Sequence, residues 1–180
     1  MKPVLLSKLV IYALVVAAWS MIVPGSTPQD DLSLDVTIVT GEHSRDSGSV
    51  TTTLTIAADV LGYEETHHGM RSNLHKPVKK EYKLTQQDRA VLIRLLKEKH
   101  LLVTRAISKS PQQKGFSRYF EVSIRSTLRG KENSVSINAS PGATELKADP
   151  LYQNSVSLIE ELYKIINRTD PDITIPHLIN

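Results

Sequence analysis

Apolar and polar residues alternate with period two in three stretches that follow one another closely. Residues 32–39, 50–56 and 60–66 each place apolar side chains on one face and polar side chains, many of them threonine, on the other. This alternation is typical of a half-buried strand, and β-branched threonine fits a pleated surface better than a helix. The sequence therefore predicts three strands, which the short polar connections between them arrange as an antiparallel meander.

Two later stretches have the period of a helix. Thr85 and Asp88 have the spacing of a capping box, and leucines recur after them every three or four positions, which predicts a helix over 86–100. Asp149 and Pro150 predict the start of a second helix, because an aspartate caps the first turn and a proline presets its backbone angle. An apolar stripe follows at helical spacing.

The strand pattern returns between the two helices. Residues 108–115, SKSPQQKG, predict a loop, and residues 120–124 and 135–139 then alternate again, which predicts a hairpin. The order of strands, helix, hairpin and helix fits an α+β domain. We expect an antiparallel sheet of about five to six strands with two helices on one face.

The N-terminus has the pattern of an export leader. Lys2 and Lys8 precede residues 9–23, which contain no charged side chain, and the chain then turns polar. This apolar run falls short of the roughly 20 residues that span a bilayer. Residues 1–25 are therefore interpreted as a cleaved signal peptide or an uncleaved membrane anchor; a buried core helix fits less well because no polar face exists. The two lysines predict that the rest of the chain is exported across the cytoplasmic membrane, to a periplasmic, extracellular or membrane-anchored location.

The remaining chain divides into three parts. Residues 26–31 form a polar linker, residues 32–168 a single α+β domain, and residues 169–180 a tail with two prolines that is either an extended strap over the core or disordered. The chain has no cysteine, which excludes a disulfide framework, a lipid-modified cysteine, a cysteine-based zinc site and a thiol nucleophile. An ordinary apolar core must therefore hold the exported domain.

Charge is distributed unevenly along this exported part. Removing the two leader lysines from the 22 lysines and arginines leaves 20, against 19 acidic side chains, so the exported part is nearly neutral. Its cations gather in residues 71–131, between two acidic ends. Such a distribution either binds an anionic surface or neutralises itself within the fold, and we favour the second interpretation.

Residues 66–83, THHGMRSNLHKPVKKEYK, combine histidines with cations and form what we call the His/Lys-rich segment. After Pro77 the pattern again has period two, with Lys80 on the same face as Tyr82 and Lys79 on the opposite face. Lysines and proline at an exposed sheet edge oppose pairing with another chain. We therefore favour a short edge strand here.

Two functional interpretations of the same segment stay open. A metal site would use His67, His68 and His75, although neighbouring strand residues project to opposite faces and zinc needs three or four convergent ligands. Binding of a polyanion would use the cations of the segment, which are Arg71, Lys76, Lys79, Lys80 and Lys83. Only one aromatic ring, that of Tyr82, lies near them, which argues against nucleic acid.

No sequence motif indicates catalysis. The chain lacks a Gly-x-Ser-x-Gly elbow, a Ser-x-x-Lys motif and a phosphate-binding glycine loop, and its acidic pairs are adjacent or in predicted loops. We therefore assign no catalytic residue and no cofactor, and we expect a non-catalytic binding or structural module of the cell envelope. Its partner would be an envelope protein or an anionic envelope polymer, with membrane contact through the N-terminal segment if that segment is uncleaved. The alternative is a metal- or polyanion-binding protein that uses residues 67–83.

Overall fold

The computed structural model describes residues 31–43, 48–69, 72, 75–109, 117–139 and 144–176. The predicted leader, residues 1–25, lies outside these ranges. Within them, no helix is both long enough and apolar enough to cross a membrane. The strands are β1 (Leu32–His43), β2 (Ser49–Ala57), β3 (Val60–His68), β4 (Val78–Lys83), β5 (Arg105–Lys109), β6 (Ser117–Leu128) and β7 (Lys131–Ala139). The helices are α1 (Gln86–Glu98), the one-turn α2 (Thr144–Lys147) and α3 (Pro150–Ile166).

The strands form one sheet in the order β4-β3-β2-β1-β6-β7-β5. All neighbouring pairs are antiparallel except β5 and β7, which are parallel. The α+β class agrees with the sequence, but the expectation of an antiparallel sheet of five to six strands is wrong, because the sheet is mixed and has seven strands. The missed strand is β5, which is too short to establish a period. Its partner β7 lies beyond β6 in the chain, so no local pattern reveals the pairing.

The first strand lies at the centre of the sheet and joins its two halves. Val36 of β1 pairs with Leu54 of β2 on one side and with Ile124 of β6 on the other. The predicted antiparallel meander of β1, β2 and β3 is confirmed by their registers. The pairing of β1 with β6 could not be predicted, because alternation tells which face a residue occupies and not which strand lies beside it.

The turn between β6 and β7 has only two residues. Arg129 and Gly130 both have a positive φ, of 53° and 75°, and Leu128 and Lys131 close the hairpin on either side. Two consecutive left-handed residues match the twist of a two-residue hairpin turn, and glycine adopts that conformation without steric cost. The predicted hairpin is therefore confirmed, with longer strands than the alternation alone indicated.

The core lies between the helices and one face of the sheet. Alternate residues of the strands are buried together with the apolar sides of α1 and α3 in one cluster, which includes Leu34, Val36, Leu54, Ile124, Val135, Leu92, Leu96, Leu158 and Leu162. Burial of this apolar surface is the main source of stability, at about 25 cal/mol per Å² removed from water. We call this face of the sheet the covered face.

Both predicted helix starts are confirmed at the atomic level. The Asp88 backbone N–H donates to the Thr85 hydroxyl over 3.1 Å, and the Asp88 carboxylate accepts the Thr85 backbone N–H over 3.0 Å, so the capping box is complete. At α3, the Asp149 carboxylate accepts the Leu151 backbone N–H over 2.8 Å. α1 ends at Glu98, slightly before the predicted end at 100.

The residues that follow α3, 167–176, include the described part of the predicted tail; they run back to the β4 edge of the sheet, and we call them the C-terminal strap. Lys80 donates to the Asp170 carboxylate over 3.0 Å, and the Tyr82 hydroxyl donates to the same carboxylate oxygen over 2.9 Å. Ile173 packs against the core cluster. Arg168 forms an ion pair of 2.8 Å with Asp88 at the start of α1. The strap therefore ties the end of the chain to β4 and to α1.

Candidate binding surfaces

The face of the sheet opposite the helices carries no buried residue among those the structure describes, and we call it the open face. Its hydroxyl-bearing residues include Ser33, Thr37, Ser49, Thr51, Thr53, Thr55, Thr66, Ser108, Tyr119, Ser123, Thr127, Ser134 and Ser136. One row crosses four strands, because Thr37 pairs with Thr53 on one side and with Ser123 on the other, and Ser123 pairs with Ser136. An antiparallel sheet tolerates one solvated face. Here that face consists mainly of short hydroxyl side chains.

The open face is weakly acidic. Its charged residues are Asp35, Glu64, Glu81, Glu121 and Glu132 against Lys79, Lys83 and Arg125. Some of these charges are already partnered, since Lys79 lies 3.5 Å from Glu64 and the Asn138 amide donates to Glu121 over 3.0 Å. The surface therefore offers hydrogen-bond donors and acceptors, with few charges that lack a partner.

The lysines of the His/Lys-rich segment occupy both faces of an edge strand. β4 lies at the end of the sheet, so the prediction of an edge strand is confirmed. Lys80 lies on the covered side and is bound by Asp170, whereas Lys79 and Lys83 lie on the open face. Lys76 is exposed in the preceding connection, and Arg71 lies outside the described residues. The structure thus divides the candidate anion-binding residues between two surfaces, and binding of a polyanion stays a prediction.

Two of these edge contacts have an electrostatic signature. Hydrogen bonds from Lys80 and Tyr82 hold the pKa of the Asp170 carboxyl below its usual value. Burial, together with the hydrogen bond to Asp170, raises the pKa of Tyr82 to about 12. Both shifts favour the ionised aspartate and the neutral tyrosine, which is the arrangement that fastens the strap to β4.

The histidines do not gather around a common point. The rings of His67 and His75 stack with centroids 4.3 Å apart and planes 17° apart, so their in-plane nitrogen lone pairs lie in nearly parallel planes. His68 is on the opposite face of β3, as its position next to His67 predicted. Among the described residues, no group of three or more side chains is placed to hold a metal ion. The metal site stays a prediction.

Glu65 joins the histidine pair to the covered face of the sheet. Its carboxylate accepts a hydrogen bond from the Tyr63 hydroxyl over 2.7 Å and lies 3.0 Å from the His67 Nε2 atom. The Tyr63 ring packs edge-on against Tyr163 of α3, with centroids 6.4 Å apart. We call these residues, with His75, the Tyr–Glu–His cluster. It connects the buried side of α3 with the connection that precedes β4.

Sequence reasoning missed this cluster, although a signal for it exists. Tyr63, Glu65 and His67 occupy every second position of one strand and therefore share a face, and the sequence shows this spacing. Burial, more than any other cause, raises the pKa of Tyr63 and of Tyr163, so both phenols stay neutral. A carboxylate between a neutral phenol and an imidazole orients both side chains. The cluster therefore secures the end of β3.

Comparison of the sequence with protein-family models and with curated proteins gives no match.

Proposed function

We propose that this protein is an exported, non-catalytic binding module of the cell envelope, and that an envelope protein docks on its open face. One observation carries the proposal. The domain closes its entire described core on one side of the sheet, and it leaves on the other side a broad hydroxyl surface with rows of residues such as Thr53, Thr37 and Ser123. Such a surface can form many hydrogen bonds without the cost of burying unpaired charges.

The charge of the open face favours a protein partner over an anionic polymer. Carboxylates outnumber cations on this face, so a polyanion would meet net repulsion there. The lysines that could attract one are divided between two surfaces, and Lys80 is held by Asp170 at 3.0 Å. These contacts weaken the case for polyanion binding by residues 67–83, and the stacked rings of His67 and His75 likewise offer no convergent metal ligands.

The export part of the proposal is tested in cells with the full chain. We expect the protein to be protected from protease in intact cells and digested after the outer layers are opened, with the mature N-terminus given by mass spectrometry. Val15→Lys combined with Val16→Lys interrupts the apolar run and should retain the product in the cytosol. Thr27→Glu in the linker is the control that adds a charge outside the apolar run, and it should leave export unchanged because acidic residues contribute little to orientation. Full-length wild-type protein found soluble in the cytosol would overturn this part.

The docking part is tested by site-specific photocrosslinking in the same cells. A photoreactive side chain at position 53 or 123 of the open face should give one discrete crosslinked product. The same side chain at position 87 of α1 or 160 of α3, both exposed on the helix side, should not. A folded Thr37→Arg variant should abolish the crosslink from position 53, because it places a bulky charge between the two sites. Equal crosslinking from both sides of the domain would contradict docking on the open face.

A further inference from the structure

The last strand of the sheet leaves part of its neighbour without a partner. β6 runs along the whole of β7, whereas β5 pairs only with residues 135–139. Residues 131–134 therefore present an edge that no described strand occupies. A depression of about 620 Å³ lies at this point, within the range of roughly 300–1,000 Å³ that is typical of ligand sites. We call it the β5–β7 step.

Every residue that lines the step has a polar or charged side chain; among them are Thr104, Arg125, Ser126, Glu132, Asn133 and Ser134. Two of these residues are buried, with 3% of Ser126 and 6% of Asn133 exposed, on a face that is otherwise mostly hydrocarbon. The Ser126 hydroxyl has no hydrogen-bond partner among the described residues. An unpartnered buried hydroxyl lowers stability, so the described fold does not explain its presence at the step.

The charges around the step favour an occupant with a carboxylate. Arg105 begins β5, Arg125 lines the step, and Lys131 follows the β6–β7 turn, whereas Glu132 is the one acidic residue of the lining. Arg125 is exposed and forms no ion pair within the described part of the chain. Its guanidinium can bind a carboxylate through two parallel hydrogen bonds.

Two other occupants fit less well. A second copy that paired through this same edge would bring the same cations together, and like charges on paired strands are destabilising. The C-terminal strap of the chain itself is held at the opposite edge, where Asp170 binds Lys80 and Tyr82 of β4. These contacts favour a segment of another protein as the occupant of the step.

We propose that the β5–β7 step binds a short extended peptide segment, which pairs with the backbone of residues 131–134 and places a carboxylate against Arg125. Addition of a strand to a sheet edge is a recurring mode of peptide recognition, in which the main chain supplies affinity and side-chain contacts supply specificity. The inference rests on the proposed function only in taking the partner to be a protein. Peptide binding itself is measured on the purified full chain and does not depend on export.

The first test uses labelled five-residue peptides and fluorescence anisotropy. Acetyl-Thr-Val-Thr-Val-Asp with a free C-terminus should bind at least tenfold more tightly than its Asn-amide counterpart. Two isomers of the acidic peptide, N-methylated at the odd or at the even residues, should differ, because only one set of N–H groups can face β7. We expect one isomer to lose at least tenfold in affinity and the other to match the parent peptide. Absence of binding at millimolar peptide, or equal affinity of both isomers, would overturn strand pairing.

The second test uses variants of the protein. Arg125→Gln should reduce the affinity for the acidic peptide about tenfold and leave that for the amide unchanged, whereas Arg94→Gln on the exposed side of α1 is the matched control and should change neither. An unchanged affinity of the Arg125→Gln variant for the acidic peptide would overturn the contact between Arg125 and the carboxylate.

The outcomes separate this inference from the proposed function. Oligogalacturonate that competes with the acidic peptide, and that also binds the Arg125→Gln variant less tightly, would assign the step to an anionic polymer and overturn the peptide. Crosslinks from positions 53 and 123 that persist while no peptide binds would leave docking on the open face intact and refute the step. Peptide binding with cytosolic retention would support the step and refute the envelope location.

Discussion

The two faces of the sheet are built from alternate residues of the same strands, yet they differ in physical character. In β2, Thr52 and Leu54 are each 1% exposed, whereas Thr53 between them contacts solvent on the open face. On the covered face, buried apolar side chains pack the strands against α1 and α3. On the open face, the strands contact one another only through backbone hydrogen bonds and short side-chain contacts. Stability is therefore concentrated on one face, which leaves the other free to carry a binding surface.

The largest difference between the two faces is expected when neighbouring residues of β2 are truncated to alanine. Leu54→Ala should lower the free energy of unfolding by about 2–5 kcal/mol, because it removes buried methyl groups and leaves a cavity. Thr53→Ala, one residue away on the open face, should change it by about 0.5 kcal/mol or less. Urea unfolding followed by circular dichroism measures both values. Similar losses in the two variants would mean that the open face is covered in solution.

A medium effect is expected at the Tyr–Glu–His cluster, which lies on the covered face towards the end of β3. Glu65→Ala should cost about 1–3 kcal/mol, because the hydroxyl of the buried Tyr63 side chain loses its acceptor. Glu65→Gln keeps an acceptor oxygen and should cost less, and Thr66→Ala on the open face is the matched control. Equal stability of Glu65→Ala and the Thr66→Ala control would show that the cluster contributes nothing.

Acid should lower the free energy of unfolding by protonating Asp88 and Asp170 on the covered side. Burial alone would raise the pKa of Asp88, but hydrogen bonds from Thr85 and Arg168 outweigh it, and the net shift is downward. The pKa of Asp170 is also lowered, by hydrogen bonds from Lys80 and Tyr82. Because each folded pKa lies below the unfolded value of about 3.9, the stabilisation is complete above that pH and is lost as the pH falls through the folded pKa.

Urea unfolding at a series of pH values between neutral and strongly acidic measures this loss. Asp170→Asn should flatten the acid limb of the stability curve, whereas Asp172→Asn, at an exposed position of the same strap, should leave its slope unchanged. An identical loss of stability in acid for wild type and Asp170→Asn would show that the contact of Asp170 with β4 does not stabilise the fold.

The smallest effect is expected at the exposed ion pair of the open face. Lys79 and Glu64 are 3.5 Å apart, with 74% and 49% of their side chains exposed, so water and salt screen their attraction. Lys79→Ala should change stability by less than about 0.5 kcal/mol, and the change should vanish at high salt. A loss above 1 kcal/mol in the same urea experiment would show that open-face charges also support the fold.

Local patterns in the sequence were sufficient for most elements. The alternation around Val36, Leu54 and Val122 predicted strands because burial on one face requires period two. Thr85 with Asp88, and Asp149 with Pro150, predicted both helix starts because capping depends on residues adjacent in the chain. The edge position of β4 was predicted from its lysines, since an unpaired edge must resist further pairing.

The candidate sites were less accessible to sequence reasoning, because they depend on contacts between distant segments. His67 and His75 were grouped by composition, whereas their stacking and the contact of His67 with Glu65 depend on where the connection after β3 returns. The alternation after Pro77 did place Lys79 and Lys80 on opposite faces, but it could not show that Asp170 of the distant C-terminal strap binds Lys80. The β5–β7 step exists only because β5 is shorter than the strand beside it.

The sequence by itself determined which residues face inward, where the helices begin, and that a cysteine-free domain must rely on its apolar core. These properties follow from periodicity and from contacts between near neighbours along the chain. The tertiary structure alone decided that β1 pairs with β6 and that β5 joins the sheet in parallel. Those pairings depend on which distant segments meet. Backbone hydrogen bonds are nearly the same for every residue type, so they do not specify which strand pairs with which.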